Sequence, residues 1–417
     1  MKKILIISYF YPESAFVGGQ RTAYWAKNLH EHGYYPIVVT RNWNHGQATL
    51  TEPVEDNVFH VEKKEGYEVH QLPFERSLRD KMDGKSSMRY FQKMLTLWEL
   101  IASNFSKKAL PYANFLPYCE NLIQSKSIDL VLISGRPFQQ FHFGYYLKNK
   151  FGTPWIADYR DEWNSHYRIP PTGILRKFIA SLERKSELRW ISNADHLITV
   201  SEAGLERLQN FTGKSGSVVR NGFEPTEKIS KKDENKLKLL YAGTLYPYQD
   251  LTMIVESILN INDQAIEFHL IGGFDTPQVE ADYRKLMQQH PETFLYTNKL
   301  PKEDFQELAH QMDIGVLTPY QNLDGCLPVK IFDYYALGLE LLLCPSDHDL
   351  MATFISETQS GIALASVKDC ESYLKEHLQK KRSNQPSTRR DFQLGNKYSR
   401  SFQTNILAET LDQVLSN

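Results

Sequence analysis

The chain has 417 residues, of which 41% are hydrophobic and 24% are charged. This composition is that of a globular protein, and the length suits two domains of roughly 150–200 residues each. The formal net charge of −2 provides no general attraction for nucleic acid, and none is expected as a partner. The four cysteines have no Cys-x-x-Cys spacing, which predicts reduced thiols in a cytoplasmic protein and no zinc site.

Near-continuous runs of Ile, Val and Leu alternate with helical patterns along the first half of the chain, as strands buried on both faces do. The runs expected to form strands are Lys3–Phe10, Pro36–Arg41, Ile128–Gly135, Pro154–Tyr159, His196–Ser201 and Ser217–Gly222. Between the first two, residues 22–32 have helical spacing and Gly33 occupies a C-cap position, which predicts a β-α-β unit. The first run is too short for a signal peptide, and no stretch approaches the roughly 18 apolar residues of a membrane span.

A second series follows the polar segment Thr226–Lys236, the clearest linker in the chain. Its expected strands are Leu237–Gly243, Ile266–Gly273, Phe294–Leu300, Asp313–Tyr320, Leu339–Ser346 and Gly361–Ser366. Its expected helices include Thr252–Leu259, Asp304–Gln311 and Val329–Ala336. The pattern predicts two doubly wound, Rossmann-like α/β domains, 1–224 and 225–396, whose strand tips face each other across a cleft. Residues 397–417 are expected to form a closing amphipathic helix.

Residues 88–123 interrupt the alternation, mixing lysines with Trp98, Phe105 and Phe115. One interpretation is a set of helices packed on the sheet with solvated lysines. The other is a surface that contacts a membrane or a lipid-linked substrate through aromatic and basic side chains. The second would make the protein peripheral at the inner face of a membrane.

Charges gather at predicted strand tips, where open parallel sheets bind their ligands. The fourth run carries Asp158 near its end and is followed directly by Arg160 and Asp161. Gly18 and Gly19 follow the first run, where a glycine pair allows the backbone to approach an anion, or simply allows a turn that needs positive φ. Neither a dinucleotide-binding Gly-x-Gly-x-x-Gly nor a P-loop occurs.

The segment Leu327–Gly338 is a second dense site. Lys330 falls in the first turn of a predicted helix, where a cation opposes the helix dipole unless an anion binds there. Asp333 falls on the same face and could accept hydrogen bonds from ribose hydroxyls. The alternative is a solvated helix start with a local Lys330–Asp333 ion pair.

Taken together, these motifs resemble the GT-B glycosyltransferases and, within them, the retaining, nucleotide-sugar-dependent glycosyltransferase family 4. The resemblance spans nearly the whole chain. Besides the segments above it includes Val200–Glu202, Asn221–Phe223 and Gly243–Leu245 after successive strands. It implies that the C-terminal helix crosses back to the first domain.

The resemblance implies a role for each matching residue. Arg160 would hydrogen-bond the transferred sugar with Asp161 beside it, while Lys330 would neutralise the donor diphosphate. The remaining donor-binding residues would be Gly18, Gly19, Asn221, Gly243, Thr244, Gln249 and Asp333, and the acceptor-side residues would be Asp158 and Glu202.

Three departures from the family pattern bear on activity. Gly325 stands where the first Glu of a Glu-x7-Glu pattern is expected, and Asp324 is the nearest acid. Thr244 and Gln249 replace a cationic pair that holds the diphosphate in many relatives. Lys330 and helix N-termini would therefore carry that task.

The expected reaction is transfer of a sugar, with retention, to a saccharide or lipid-linked saccharide acceptor in cell-surface polysaccharide synthesis, with no metal and no other cofactor. The leaving phosphate would take the acceptor proton. The Asp347–Asp349 triplet matches a metal-binding Asp-x-Asp pattern, but its place before a helix favours an N-cap. The alternatives are a nucleotide-sugar 2-epimerase and a non-catalytic sugar-nucleotide-binding relative.

Overall fold

The computed structural model describes residues 1–14, 16–47, 49–77, 79–82, 88–103, 105, 112–167, 170–226, 236–383 and 390–416. The chain divides into two compact units: Met1–Arg220 with Gln403–Asn417, and Asn221–Phe402. Most of the predicted linker, residues 227–235, lies outside the described residues. Within the described residues, no helix combines enough length and apolar character to cross a bilayer.

The first unit is built on a mainly parallel sheet. Its strands are β1 (Lys2–Ser8), β2 (Tyr34–Arg41), β3 (His60–Lys64), β4 (Tyr67–Leu72), β5 (Leu130–Ser134), β6 (Trp155–Tyr159), β7 (His196–Thr199) and β8 (Gly216–Val218). Its helices are α1 (Gly18–Asn28), α2 (Arg89–Ser103), α3 (Phe115–Lys126), α4 (Phe141–Phe151), α5 (Ile174–Ile191) and α6 (Glu202–Thr212). The strand order is β3-β4-β2-β1-β5-β6-β7-β8, and only the pairing of β3 with β4 is antiparallel.

The second unit repeats this plan with a fully parallel sheet. Its strands are β9 (Leu237–Leu245), β10 (Ile266–Phe274), β11 (Phe294–Asn298), β12 (Ile314–Leu317), β13 (Glu340–Leu343) and β14 (Gly361–Ala363). Its helices are α7 (Thr252–Ile261), α8 (Pro277–Gln289), α9 (Lys302–Ala309), α10 (Val329–Ala336), α11 (Leu350–Glu357) and α12 (Val367–Arg382). The order β11-β10-β9-β12-β13-β14 reverses direction between β9 and β12.

The last helix, α13 (Arg400–Ser416), completes the core of the first unit. Its Leu407 and Leu411 are fully buried in the same hydrophobic cluster as Ile4 and Ile6 of β1. The chain thus leaves the first unit after β8 and returns to it at its end. The predicted fold class, two doubly wound α/β bodies with a closing helix, is confirmed.

Strands β3 and β4 were not expected from the sequence because polar residues hide them. Strand β3 is an edge strand rich in charge, as edges that avoid aggregation are. Strand β4 buries Glu68. Its carboxylate pairs with Lys126 and His70, which compensates for the loss of water around the charge. Neither strand contains the continuous run of Ile, Val and Leu from which the other strands were predicted.

Candidate functional site

The carboxyl ends of β1, β5 and β6 lie side by side where the first sheet changes winding direction. In doubly wound sheets this switch point is the usual ligand site. The segments that leave these three strands carry Gly18, Arg136 and Arg160. The topology therefore brings the predicted glycine pair and the predicted arginine to one edge.

A buried ion pair lies beneath this edge. The Arg21 guanidinium, in α1, donates to Asp158 Oδ1 at 3.0 Å, and both side chains are almost fully buried. Ser134 Oγ donates to the other Asp158 oxygen at 2.9 Å. Burial lowers the pKa of Arg21, and the adjacent carboxylate opposes that shift. Asp158 thus ties α1 to β5 and β6, and its charged partner is Arg21.

The two glycines allow close packing at the start of α1, and neither has a positive φ. A Cβ added to Gly18 would lie 1.7 Å from a terminal nitrogen of Arg160. A Cβ added to Gly19 would lie 2.6 Å from Tyr11 Cα. Gly19 is therefore buried against backbone, and Gly18 leaves room for the Arg160 guanidinium at a helix N-terminus.

Arg160 and Asp161 lie in a small cluster of charges. Asp161 Oδ2 is 3.8 Å from Arg160 Nε and 3.4 Å from Arg136 Nε. Burial lowers the pKa of Arg160, while Asp161 and Asp158 oppose the shift. Two cations share one exposed carboxylate, which leaves positive charge to attract an anionic group.

A buried carboxyl group anchors the segment that carries these residues. Glu187 of α5 accepts hydrogen bonds from Tyr159 Oη at 2.8 Å and from Asn164 Nδ2 at 2.8 Å. Burial raises the pKa of Glu187 to about 7. Because Tyr159 and Asn164 flank residues 160–163, Glu187 holds both ends of the segment.

A cavity of about 640 Å³ opens at this edge of the first unit. Its positive groups are Arg79, Arg136 and Arg160, and Asp80 is its acid. Phe138 and Trp163 stack on each other with ring centroids 5.2 Å apart. Its aromatic lining consists of Tyr9, Phe10, Phe16, Phe74, Tyr112, Phe138 and Trp163. Such a pocket offers apolar ring faces with a few charged groups that can orient a ligand.

Two predicted residues lie away from this cavity's lining. Glu202 begins α6 with a largely exposed side chain that pairs with Arg220. Asn221 begins the second unit next to Gly222, whose φ is +68° and whose missing Cβ leaves room for the backbone of Tyr398 and Arg400. Asn221 thus marks the place where the chain passes from the first unit to the second.

In the second unit, Tyr334 fixes helix α10 to the strands at the switch point. Its hydroxyl accepts a hydrogen bond from the Ala242 N–H of β9 at 2.6 Å. Its ring packs on Gly315 of β12, where a Cβ would lie 2.5 Å away. Lys330 lies one turn earlier on α10, so this docking sets the position of Lys330 relative to β9.

The Lys330 ammonium lies at the carboxyl end of β9. Its Nζ is 3.8 Å from the centre of the Tyr241 ring and 4.0 Å from a Cβ built on Gly243, whose φ is +105°. Burial lowers the pKa of Lys330 to about 7. No ion pair joins Lys330 to a carboxylate among the described residues, so the alternative of a Lys330–Asp333 pair is not observed.

The other predicted donor residues have distinct surroundings. Gln249 is buried and accepts a hydrogen bond from Tyr241 Oη at 2.6 Å, so it supports the ring beneath Lys330. Thr244 lies partly exposed in β9 next to Gly243. Burial raises the pKa of Asp333 to about 6, opposed by Arg400 and Lys302.

The backbone explains the absence of an acid at Gly325 and the role of the Asp347–Asp349 triplet. Gly325 has φ +69°, a region that disfavours glutamate, and its N–H donates to the Asp349 carboxylate. The Asp347 carboxylate accepts hydrogen bonds from the N–H groups of Met351 at 2.9 Å and Ala352 at 3.0 Å, both in the first turn of α11. The N-cap residue of α11 is Asp349, whose side chain makes no capping hydrogen bond, and the carboxylate that caps the helix is that of Asp347, two residues earlier. Within the described residues, no group of three or more His, Cys, Asp or Glu side chains is arranged to hold a metal ion.

Sequence reasoning missed an aromatic cluster near Tyr241, the ring on which the Lys330 ammonium lies. Tyr246 and Tyr248 stack at 5.0 Å, and Tyr320 lies 6.2 Å from Tyr248. A repeated tripeptide, Pro-Tyr-Gln, follows β9 at 247–249 and β12 at 319–321. Because β9 and β12 are neighbours, the repeat places the two tyrosines together, and it is the signal that could have found them.

Comparison with known proteins extends the fold assignment. No protein-family model matches the chain, and no curated protein matches it. Among solved structures, the catalytic domain of starch synthase IV from Arabidopsis thaliana, bound to ADP and acarbose, has a TM-score of 0.61 at 11% identity over 100% of this chain and 99% of its own. Anabaena HepE in complex with UDP has a TM-score of 0.58 at 10% identity over 99% and 100%.

A third structure, described as trehalose-6-phosphate from E. coli bound with UDP-2-fluoro glucose, has a TM-score of 0.55 at 13% identity over 100% of this chain and 97% of its own. These similarities span both units. At such low identity they show the fold, which is the GT-B fold, and membership of family 4 stays a prediction.

Proposed function

We propose that this protein is a retaining glycosyltransferase that moves a sugar from a nucleotide-sugar donor to a saccharide or lipid-linked saccharide acceptor. The observation that carries the proposal is the ammonium of Lys330, half-buried at a helix start, beside Gly243 and without a described carboxylate partner. A cation in such a place is costly to desolvate and opposes the helix dipole. A bound phosphate would offset both costs.

The donor is proposed to bind the second unit. Lys330 and the N–H groups of Gly243 and Thr244 would hold its phosphates, and Asp333 would accept the ribose hydroxyls. The similar solved structures support this assignment by analogy, since those proteins are bound to ADP, UDP or a UDP-sugar. The tyrosines that follow β9 and β12 offer ring faces for the rest of the donor.

The acceptor is proposed to bind the cavity of the first unit. Its aromatic lining suits the apolar faces of sugar rings, and its arginines suit an acceptor that carries a phosphate or carboxylate. Arg160 would orient the transferred sugar, with Asp161 fixing its guanidinium. Asp158 would act through Arg21 as a positioning residue, because its own carboxylate is buried.

The chemistry requires stabilisation of the leaving phosphate. Cleavage of the anomeric C–O bond places negative charge on the leaving phosphate and positive charge on the sugar. Lys330 and the N–H groups at Gly243 would already be in position before the reaction begins, and they would stabilise that negative charge as it develops. The acceptor hydroxyl would attack the anomeric carbon from the same face and give its proton to the leaving phosphate oxygen. No nucleophile of the protein is needed.

The test is nucleotide binding by the Lys330→Ala variant. Titration calorimetry with UDP, ADP, GDP, CMP and dTDP, and with their sugars, would first identify the ligand of the wild type. Loss of a charged hydrogen-bond donor costs about 1.5–3 kcal/mol, so affinity should fall roughly 10- to 100-fold. Lys368→Ala, at an exposed position in the first turn of α12, is the matched control and should bind normally. Unchanged binding by Lys330→Ala would contradict the proposal.

The pH dependence gives an independent check. With the pKa of Lys330 near 7, the free ammonium is progressively lost above pH 7. If the nucleotide binds only to the ammonium form, Lys330 must take up a proton on binding, so the apparent Kd should rise as pH increases from 7 to 8.5. The Lys330→Arg variant keeps its charge across this range and should show a flatter profile. Product formation unaffected by EDTA would support metal independence, and a strict Mn²⁺ requirement would overturn it.

A further inference from the structure

The exposed large apolar side chains of the first unit concentrate on two neighbouring helices. Helices α2 and α5 contact each other. Ile174 is 92% exposed, Tyr90 80% and Trp98 61%. The others on the two helices are Phe91, Met94, Leu175, Phe178 and Leu188. Water-exposed apolar groups at this density are unusual for a monomer's surface and mark an interaction site.

The charges of the same helices have one sign. On α2 and α5, each described side chain that is both charged and exposed is a cation. These cations are Lys93, Arg176, Lys177, Arg184, Lys185 and Arg189. The acids on these helices, Glu99, Glu183 and Glu187, are partly or fully buried. This local excess contrasts with the net charge of −2 for the chain.

We propose that this α2–α5 surface docks onto an anionic lipid bilayer. Aromatic and aliphatic side chains would enter the headgroup boundary, and the cations would contact lipid phosphates. Long arginine and lysine side chains can reach the headgroups while their neighbours are inserted. The sign of the charge favours an anionic lipid surface over a second copy of this surface, which would be repelled by its own cations. The surface lies outside the cavity lining and does not depend on the donor site.

The experiment is flotation of the full chain with vesicles of phosphatidylcholine, with and without 30 mol% phosphatidylglycerol. Wild type should float with the anionic vesicles and should be released as salt increases. Arg176→Glu/Lys177→Glu should lower partitioning roughly 30-fold or more, because each surface cation contributes about fivefold. Trp98→Ser/Ile174→Ser should lower it about tenfold through lost apolar insertion.

The matched control is Lys375→Glu/Lys380→Glu on exposed positions of α12, which makes the same change in net charge. It should float like wild type, and equal loss in this control would show non-specific attraction and overturn the proposal. Failure of wild type to bind the anionic vesicles would do the same. A wild-type dimer in sedimentation that Trp98→Ser/Ile174→Ser dissociates would identify a second copy as the occupant and refute the bilayer. Nucleotide titration of each variant separates these outcomes from failure of the proposed donor site.

Discussion

Replacing Glu187 by Gln should change how the stability of the first unit depends on pH. The folded environment raises the pKa of Glu187 from 4.5 to about 7. Between pH 4.5 and 7, Glu187 therefore keeps its proton in the folded state but has released it in the unfolded state. Stability from this group is fully present below pH 4.5 and is lost as pH rises through 7.

The magnitude follows from the shift. Each pKa unit is worth about 1.4 kcal/mol, so between pH 5 and pH 8 wild type should lose roughly 2–3 kcal/mol of unfolding free energy through Glu187. Glutamine resembles the protonated acid in shape and can still bond Tyr159 and Asn164. The Glu187→Gln variant should therefore lack this part of the pH dependence.

The assay is urea unfolding followed by tryptophan fluorescence at pH 5, 6, 7 and 8. All six tryptophans lie between Trp25 and Trp190, so the signal reports the first unit. Glu206→Gln, at an exposed position of α6, controls for the loss of a negative charge. If Glu187→Gln and wild type lose the same free energy between pH 5 and pH 8, the reasoning about this buried carboxyl group is wrong.

Three further changes test the geometry. Arg21→Met should cost about 3–5 kcal/mol of unfolding free energy by leaving Asp158 buried and unpaired, and adding Asp158→Asn should recover most of it, as urea unfolding would show. Gly18→Ala should leave stability within about 1 kcal/mol but displace Arg160, so transfer should slow while nucleotide affinity stays constant; full activity would contradict the contact. Gly325→Glu, which restores the expected acid, should lower the free energy of unfolding by about 1–2 kcal/mol because residue 325 has a positive φ, and an unchanged Tm would show that the backbone adapts.

The sequence by itself determined the architecture. Strands of a parallel sheet are buried on both faces, so their apolar runs stand out, and helices between them carry their own period. Helix α10 was predicted at Val329–Ala336 and occupies those residues. The place of Lys330 in its first turn followed, because helix position depends on neighbours in the chain. Strands β3 and β4 escaped this reasoning because β3 is a charged edge strand and because the buried Glu68 of β4 pairs with Lys126, which is distant in the chain.

Only the tertiary structure decided which charges meet. Asp158 and Arg160 are close in the chain, yet Asp158 pairs with Arg21, 137 positions away. The partner of a buried charge is set by the distances that packing creates, and no local period encodes them. The same holds for the α2–α5 surface, since exposure depends on what packs against a helix. The sequence therefore placed the candidate residues on strand tips and helix starts, and the fold assigned their contacts.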